Sequence, residues 1–132
     1  MNTNTKGNIA LGKAISYFTE KEYTVSIPLN DSQFYDLIIE KDCVLQTVQV
    51  KYTSEEKGNG FECSLKTTSG TSRKKIYGIK DKKIDFLFCY CSNGNTYLIP
   101  TEFIKNNSSI MLVTEKSKYA NKDILDTSLY LI

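Results

Sequence analysis

The stretch "YDLIIEKDCVLQTVQVKYT", residues 35–53, contains two apolar runs in which side chains alternate with period two. Runs of this kind predict β-strands, here over 35–40 and 44–52, and the short polar link between them predicts a hairpin. In the second strand Gln49 and Lys51 stand where apolar residues would pack better. Alternate residues of a strand share a face, so these two polar side chains point the same way.

Three polar side chains converge if the two strands pair antiparallel. The start of one strand then lies beside the end of the other, so Asp36 comes near Gln49 and Lys51. The Asp36 carboxylate, the Gln49 amide oxygen and the Val50 carbonyl form an oxygen set of the kind that Mg²⁺ prefers. Lys51 could hold or deprotonate a water and stabilise a phosphorane-like transition state. The hairpin therefore predicts phosphodiester hydrolysis, with a turn-capping aspartate and a solvated lysine as the alternative interpretation.

The composition predicts one globular domain without imidazole chemistry. The chain has 132 residues, of which 40% are hydrophobic. This is enough for one core and too little for two domains. There is no histidine, so acid–base chemistry must use carboxylates, lysine, tyrosine or metal-bound water. The net charge of +2 is too small to argue for nucleic acid by itself.

The cysteines favour an intracellular protein. They lie in strand-like apolar surroundings, and no signal peptide or long apolar run precedes them, which favours reduced, buried thiols, a cytoplasmic location and no membrane partner. Cys89 and Cys91 could form half of a metal site, but no second pair or histidine completes it, so packing is the favoured interpretation. The four residues are Cys43, Cys63, Cys89 and Cys91.

The remaining segments predict an α/β (α+β) fold with a sheet as its core. An apolar stripe that includes Leu11 and Phe18 predicts an amphipathic helix over 7–21, with Thr5 or Asn8 near its start and residues 1–5 mobile. The other predicted elements are strands at 23–29, 61–67, 85–91, 96–104 (interrupted at Pro100) and 110–113, a loop with a short helical turn over 69–84, and a weakly helical segment at 117–126.

Two segments are candidates for DNA contact. Basic residues cluster between positions 73 and 83, and such a cluster is either a solvated loop or a set of phosphate contacts. Alternate residues of the predicted strand 61–67 and its continuation could contact a DNA groove, or form an exposed sheet edge. The candidate DNA-binding residues are Ser64, Lys66, Thr68, Arg73, Lys74 and Lys75.

The motif strands and their flanks resemble a known family. The motif "YDLII…LQTVQVKYT" is preceded by "KGNIALGKAISYFTEKEYTVSIPLNDSQFYDL" (6–37) and followed by "KIDFLFCYCSNGNTYLIPTEFI" (83–104). In this order the segments resemble the PD-(D/E)XK nuclease superfamily. In particular they resemble the small branch that includes a group I intron homing endonuclease, in which a Gln replaces the second acidic residue. The resemblance implies a single domain over 1–132 with a restriction-endonuclease-like core, a central mixed β-sheet flanked by helices.

The resemblance also implies the site residues. Carried over position by position, it makes Asp36 the metal-binding aspartate, Gln49 the substituted second ligand and Lys51 the motif lysine. Mg²⁺ is the implied cofactor, with Mn²⁺ as a substitute and no small-molecule cofactor. One position departs from the pattern: the opening helix of this branch reads Gly-Asn-Ile-Gly-Glu, and here the glutamate position is Leu11.

The missing glutamate leaves several explanations open. Asp36 becomes the one carboxylate of the implied set, and affinity for divalent ions depends on ligand charge, so we expect weakened metal binding. Activity could be lost, another acid such as Glu62 or Asp31 could reach the site, or Leu11 could be an engineered inactivating change.

Three functions remain as hypotheses. The first is a metal-dependent endonuclease on double-stranded DNA, a homodimer or homotetramer because cutting both strands most simply uses a two-fold assembly. The second, which Leu11 favours, is a non-catalytic DNA-binding or protein-binding module on the same fold. The third is a junction-resolving enzyme of the same superfamily, which would need a broader basic surface.

Overall fold

One α-helix packs on a central sheet in the computed structural model, which describes residues 1–69, 75–116 and 124–132. The helix, α1, spans Thr3–Glu20. The strands, in chain order, are β1 (Thr24–Ser26), β2 (Leu37–Lys41), β3 (Val44–Thr53), β4 (Glu56–Lys57), β5 (Gly60–Ser64), β6 (Thr67–Ser69), β7 (Lys75–Tyr77), β8 (Phe86–Cys91), β9 (Thr96–Pro100) and β10 (Ser109–Leu112). Three short 3₁₀ turns lie at Ile79–Asp81, Thr101–Phe103 and Thr127–Tyr130.

The central sheet is mixed, with the order β1-β2-β3-β8-β9. Its middle strands β3 and β8 run parallel, and its other neighbouring strands are antiparallel. A smaller sheet has the order β10-β5-β4, and β6 pairs with β7. The predicted α/β (α+β) class with a central mixed sheet is therefore confirmed.

The β2–β3 hairpin confirms the prediction made from the opening stretch. The two strands pair antiparallel, with Leu37 opposite Val48. Asp42 and Cys43 form the turn, and their φ angles of 52° and 65° fit a type I′ turn, whose twist matches that of the flanking strands. Cys43 is exposed in this turn, so the expectation that it is buried was wrong, whereas the other three cysteines are free and buried.

The helix begins earlier than its apolar stripe predicts. Its N-cap is Asn2, whose side chain accepts a hydrogen bond from the Thr5 N–H at 2.8 Å. Residues 3–5, which we expected to be mobile, therefore form the first turn, and neither Thr5 nor Asn8 is the cap. The polar stretch carries no apolar periodicity, and a single capping side chain is enough to extend the helix into it.

The two faces of the central sheet are covered differently. Phe18 and other apolar residues of α1 pack against Leu37, Val48 and Phe88 on one face. On the opposite face, Leu87 and its neighbours pack against residues of β5 and β10. The second face is thus covered by strands and 3₁₀ turns, and α1 is the one α-helix that flanks the sheet in the described ranges.

The segment predicted as one strand over 61–67 is broken. β5 ends at Ser64, the Leu65 N–H donates to the Ser108 carbonyl at 2.8 Å, and the chain then enters β6, which pairs with β7. Ser64 and Thr68 therefore do not lie on one strand face as predicted. Neither β6 nor β7 was predicted, because the strand break at the buried Leu65 has no signature in the period-two pattern.

The C-terminal predictions are partly tested. The strand expected at 110–113 is found as β10. The expected interruption at Pro100 is also found, because β9 ends there and a 3₁₀ turn follows. Of the weakly helical segment 117–126, residues 117–123 lie outside the described residues. Residues 124–126 are not helical, and a 3₁₀ turn begins only at Thr127. Among the helices that the structure describes, none has the length and apolar character required to cross a membrane.

Candidate active site

Asp36 is held against β3 where β2 begins. Its backbone N–H donates to the Val48 carbonyl at 2.8 Å, and its carboxylate accepts a hydrogen bond from the Val50 N–H at 2.7 Å. The Asp36 carboxylate thus replaces a backbone acceptor for β3 at a position beyond the end of β2. This contact brings the aspartate beside the segment that contains Gln49 and Lys51, as the sequence predicts.

The Val50 carbonyl opens toward the same side. In a β-strand the N–H and C=O of one residue point to the same side of the chain. Because the Val50 N–H reaches the Asp36 carboxylate, its carbonyl points to the same side of β3 as that carboxylate. One carboxylate and one backbone carbonyl therefore lie on a common edge.

The surroundings of Asp36 change the pKa of its carboxyl group. Desolvation raises the pKa of Asp36 above its ordinary value, while the Val50 hydrogen bond and the charges of Lys51 and Lys82 act in the opposite direction. The residue nevertheless keeps part of its surface exposed. Its carboxylate is therefore accessible, although it is less fully hydrated than a carboxylate on an open surface.

Gln49 is buried and its amide is bonded at both ends. It lies on the face of β3 opposite α1 and is only 4% exposed. Its Nε2 donates to the Phe34 carbonyl at 3.0 Å and to Thr67 Oγ1 at 3.4 Å. Its Oε1 accepts a hydrogen bond from the Lys82 ammonium at 3.2 Å. An amide oxygen has two lone pairs, so one remains for a further partner.

Lys51 lies on the same face and is less constrained. It is half-buried, and its Nζ donates to the Lys66 carbonyl at a long distance of 3.5 Å. An ammonium has three donors, and within the described part of the chain this is the one bond that Lys51 makes. Two donors are therefore available for a phosphate oxygen or a water.

Lys82 is a site residue that the sequence analysis missed. It was grouped with the basic residues of 73–83, of which Lys80 and Lys83 are exposed, yet Lys82 is only 6% exposed. Desolvation, reinforced by the charge of Lys51, lowers the pKa of Lys82 to about 8, with a partial offset from two aspartates. Nothing in the local sequence distinguishes Lys82 from its lysine neighbours.

The 3₁₀ turn before Lys82 fixes its position. Asp81 accepts a hydrogen bond from the Gly78 N–H at 2.7 Å, and Asn107 Oδ1 accepts one from the Lys80 N–H at 2.6 Å. A Cβ on Gly78 would lie 2.3 Å from the Asn107 side chain, so a larger residue would have to displace the side chain that accepts from the Lys80 N–H. The turn thus directs the chain so that Lys82 enters the interior below β3.

The position of the missing glutamate is apolar and packed. Leu11 is half-buried and packs against the helix-side core, as does Val50. Of the alternative acids, Glu62 is ion-paired with Lys57 at 2.7 Å, and Asp31 lies exposed before β2. Over residues 1–69, 75–116 and 124–132, there is no group of three or more His, Cys, Asp or Glu side chains that could hold a metal ion. Neither acid therefore replaces the glutamate in this structure.

The predicted DNA-binding residues are only partly described. Ser64 and Lys66 are exposed, and the Lys66 carbonyl contacts Lys51, so this segment borders the site. Thr68 belongs to β6 and Lys75 begins β7. Arg73 and Lys74 lie outside the described residues.

Comparisons with known proteins give a family match and a structural match. The sequence model of a family described as PD-(D/E)XK endonuclease matches residues 1–131. No curated protein matches the chain. Among solved structures, a bacterial homing endonuclease, I-Ssp6803I, is similar with a TM-score of 0.75 and 28% sequence identity, over 99% of this chain and 89% of that chain. The chain therefore belongs to the PD-(D/E)XK endonuclease family.

Proposed function

We propose that the chain is a metal-dependent endonuclease that hydrolyses double-stranded DNA, with Asp36, Gln49 and Lys51 as its catalytic residues. Family membership and the likeness to a homing endonuclease support a DNA endonuclease. The observation that carries the finer proposal is the anchoring of the Asp36 carboxylate by the Val50 N–H, next to a lysine with donors to spare.

The oxygen donors at this edge fit a hard divalent cation. Asp36 offers a carboxylate, Val50 a carbonyl, and Gln49 the second lone pair of its amide oxygen. Mg²⁺ commonly binds through one or two carboxylates and keeps several waters, so a set with one carboxylate is sufficient although weak. When bound, Mg²⁺, or Mn²⁺ in its place, supplies positive charge that polarises the scissile phosphate.

Lys51 performs the remaining chemistry in this proposal. Its free donors can hold the attacking water and bind the phosphate oxygen on which negative charge develops. Ser64 and Lys66 border this lysine and could contact the DNA backbone, with Thr68, Arg73, Lys74 and Lys75 as further candidates. Cutting two strands with one site per chain implies a homodimer or homotetramer.

Leu11 lowers the expected activity. The opening helix of the family branch has a glutamate where this chain has Leu11, so the site here holds one carboxylate. The positive charges of Lys51 and Lys82 oppose the binding of a second cation. We expect Mg²⁺ to bind weakly. The same observation favours the second candidate function, a non-catalytic module that binds DNA or protein on a nuclease fold.

Cleavage assays separate the two functions. Supercoiled plasmid and phage genomic DNA are incubated with the protein in Mg²⁺, Mn²⁺ or chelator, with the variants Lys51→Ala and Leu11→Glu and with Lys116→Ala as an exposed-lysine control. We expect metal-dependent cleavage that falls about 10²–10³-fold in Lys51→Ala and is retained in Lys116→Ala. Leu11→Glu should lower the Mg²⁺ concentration needed for half-maximal cleavage.

Other outcomes assign the protein differently. Cleavage that persists in chelator, or in Lys51→Ala, would reject the proposed mechanism. DNA binding without cleavage, with activity appearing only in Leu11→Glu, would identify a nuclease that Leu11 has inactivated. Binding without cleavage in every variant would support the non-catalytic module.

A further inference from the structure

Lys82 is a buried ammonium whose donors are all occupied. Its Nζ donates to Gln49 Oε1 and to the Leu65 carbonyl, each at 3.2 Å, and to Thr67 Oγ1. The same atom lies 5.8 Å from the centre of the Phe34 ring. Three donors thus meet three acceptors, and one aromatic face covers the group.

The partners of Lys82 are neutral. The one salt bridge among the described residues joins Lys57 to Glu62, so no carboxylate is ion-paired with Lys82 there. Burying a charge without a salt-bridge partner lowers the stability of a fold, and the more distant charges of Asp36 and Asp81 offset this only in part. A methionine-sized apolar side chain would fill the same space without this cost, so packing does not explain a lysine at this position.

Direct contact with DNA does not explain Lys82 either. The side chain is 6% exposed, and a phosphate could bind its Nζ only by displacing one of the three acceptors. Lys51 is the lysine with free donors. The role of Lys82 must therefore pass through the groups that it contacts.

Of these groups, Gln49 is the one whose orientation Lys82 decides. The Gln49 amide has an accepting end and a donating end, and the two differ only by a rotation. With Oε1 toward Lys82, the amide also satisfies the Phe34 carbonyl through Nε2. The rotated amide would place an NH₂ group against an ammonium and an oxygen against a carbonyl, which loses both hydrogen bonds.

We propose that Lys82 is a positioning residue, which fixes the Gln49 amide so that its oxygen keeps one lone pair available for a divalent cation beside Asp36. This inference rests on the proposed function for the role of the cation. The fixed amide is a property of the metal-free protein and can be measured without cleavage.

Side-chain NMR of the metal-free protein tests the orientation directly. The chain has three glutamines, Gln33, Gln46 and Gln49, so Gln49→Met identifies the Gln49 NH₂ signals. We expect Lys82→Met to shift these signals toward those of Gln46 and to speed their exchange with water by about tenfold or more, as loss of fixed hydrogen bonds requires. Lys83→Met, at the exposed neighbouring lysine, should leave them unchanged.

A second variant covers the case in which Lys82→Met does not fold. Thr67→Val keeps the lysine but removes the hydroxyl that contacts both Lys82 and Gln49. It should move the Gln49 signals in the same direction. Unchanged Gln49 signals in the folded variants would overturn the proposal.

Cleavage kinetics then test whether Lys82 acts through Gln49. At saturating Mn²⁺ and under single-turnover conditions, Lys82→Met should reduce the rate about 10–100-fold, as loss of a residue that orients a metal ligand does. In the Gln49→Met background, Lys82→Met should change the rate by no more than about twofold, because residues that act through one another are not additive. If the effects of Lys82→Met and Gln49→Met on the cleavage rate multiply, Lys82 has a separate structural role and the proposal is overturned.

The two proposals can fail separately. If the wild-type protein does not cleave DNA, the nuclease function fails, while the Gln49 signals still decide whether Lys82 fixes the amide. If cleavage is normal and Lys82→Met leaves both the signals and the rate unchanged, Lys82 has no positioning role and the nuclease function stands.

Discussion

The neighbouring strands β3 and β8 run parallel, and they differ in the polarity of the side chains on one face. On the face away from α1, β8 presents Leu87, Cys89 and Cys91, all fully buried. The residues of β3 in register with them are Gln49, Lys51 and Thr53. The two strands share one environment, yet one is apolar there and the other is polar.

Each polar side chain that β3 presents on this face has a defined partner. Gln49 bonds to Phe34 and Lys82, Lys51 bonds to the Lys66 carbonyl, and Thr53 Oγ1 donates to the Glu62 carbonyl at 2.6 Å. Hydrogen bonds of this kind compensate burial without adding much net stability. On this face β8 buries apolar side chains, whereas β3 carries the polar groups to which the proposed function assigns roles.

Truncating β8 should have the largest effect on stability. Leu87 is fully buried, so Leu87→Ala should lower the free energy of unfolding by about 2–5 kcal/mol through lost burial and a cavity. Urea denaturation measures the change, and Leu129→Ala, at a leucine that is 74% exposed, should change it by less than about 0.5 kcal/mol. A loss at Leu87 as small as that at Leu129 would remove the distinction between the strands.

Making β3 apolar like β8 should also destabilise the fold. Gln49→Leu deprives the Phe34 carbonyl and the Lys82 ammonium of a partner, so we expect a loss of roughly 2–3 kcal/mol despite the more apolar side chain. Gln46→Leu is the matched control on the same strand, because no hydrogen bond of the Gln46 side chain is found in the part of the chain that the structure describes. If Gln49→Leu stabilises the protein in urea denaturation, the hydrogen bonds of Gln49 are unimportant for the fold.

The strands β5 and β10, which cover the polar face of β3, can be separated by a substitution at a glycine. A Cβ on Gly60 would lie 2.2 Å from the Leu112 carbonyl oxygen, so Gly60→Ala must separate β5 from β10. We expect a loss of about 1–3 kcal/mol in the free energy of unfolding. Gly12→Ala, where a Cβ meets nothing within 4 Å on the exposed side of α1, should instead stabilise the protein by up to about 1 kcal/mol. Changes of the same sign would contradict the packing described.

The helix that covers the other face offers the smallest effect. Asn2→Ala removes the N-cap of α1 and should cost about 1 kcal/mol. Asn8→Ala lies inside the helix and should change stability by no more than a few tenths of a kcal/mol. Thermal and urea unfolding compare the two variants, and a larger loss at Asn8 would place the start of the helix where its apolar stripe begins.

Much of the fold follows from local patterns. The hairpin, the central strand β8 and the helix all have side-chain periodicities that a short segment contains. Predictions failed where one hydrogen bond extends an element beyond its apolar pattern, as at the Asn2 cap, or where a strand breaks at a buried apolar residue, as at Leu65. The predicted burial of Cys43 failed for a similar reason, because Cys43 lies in a turn and not in an apolar strand.

Local patterns are enough to predict the strand that carries Gln49 and Lys51 and the face that they share, since alternation within a strand is a local property. Antiparallel pairing across a short turn also brings Asp36 to that strand. The parallel pairing of β3 with β8 is visible only in the folded chain. So is the contact that buries Lys82, rather than its lysine neighbours, beneath Gln49. That contact joins residues far apart in the chain, so it depends on the path of the intervening loops and the order of the sheet, which no local pattern specifies.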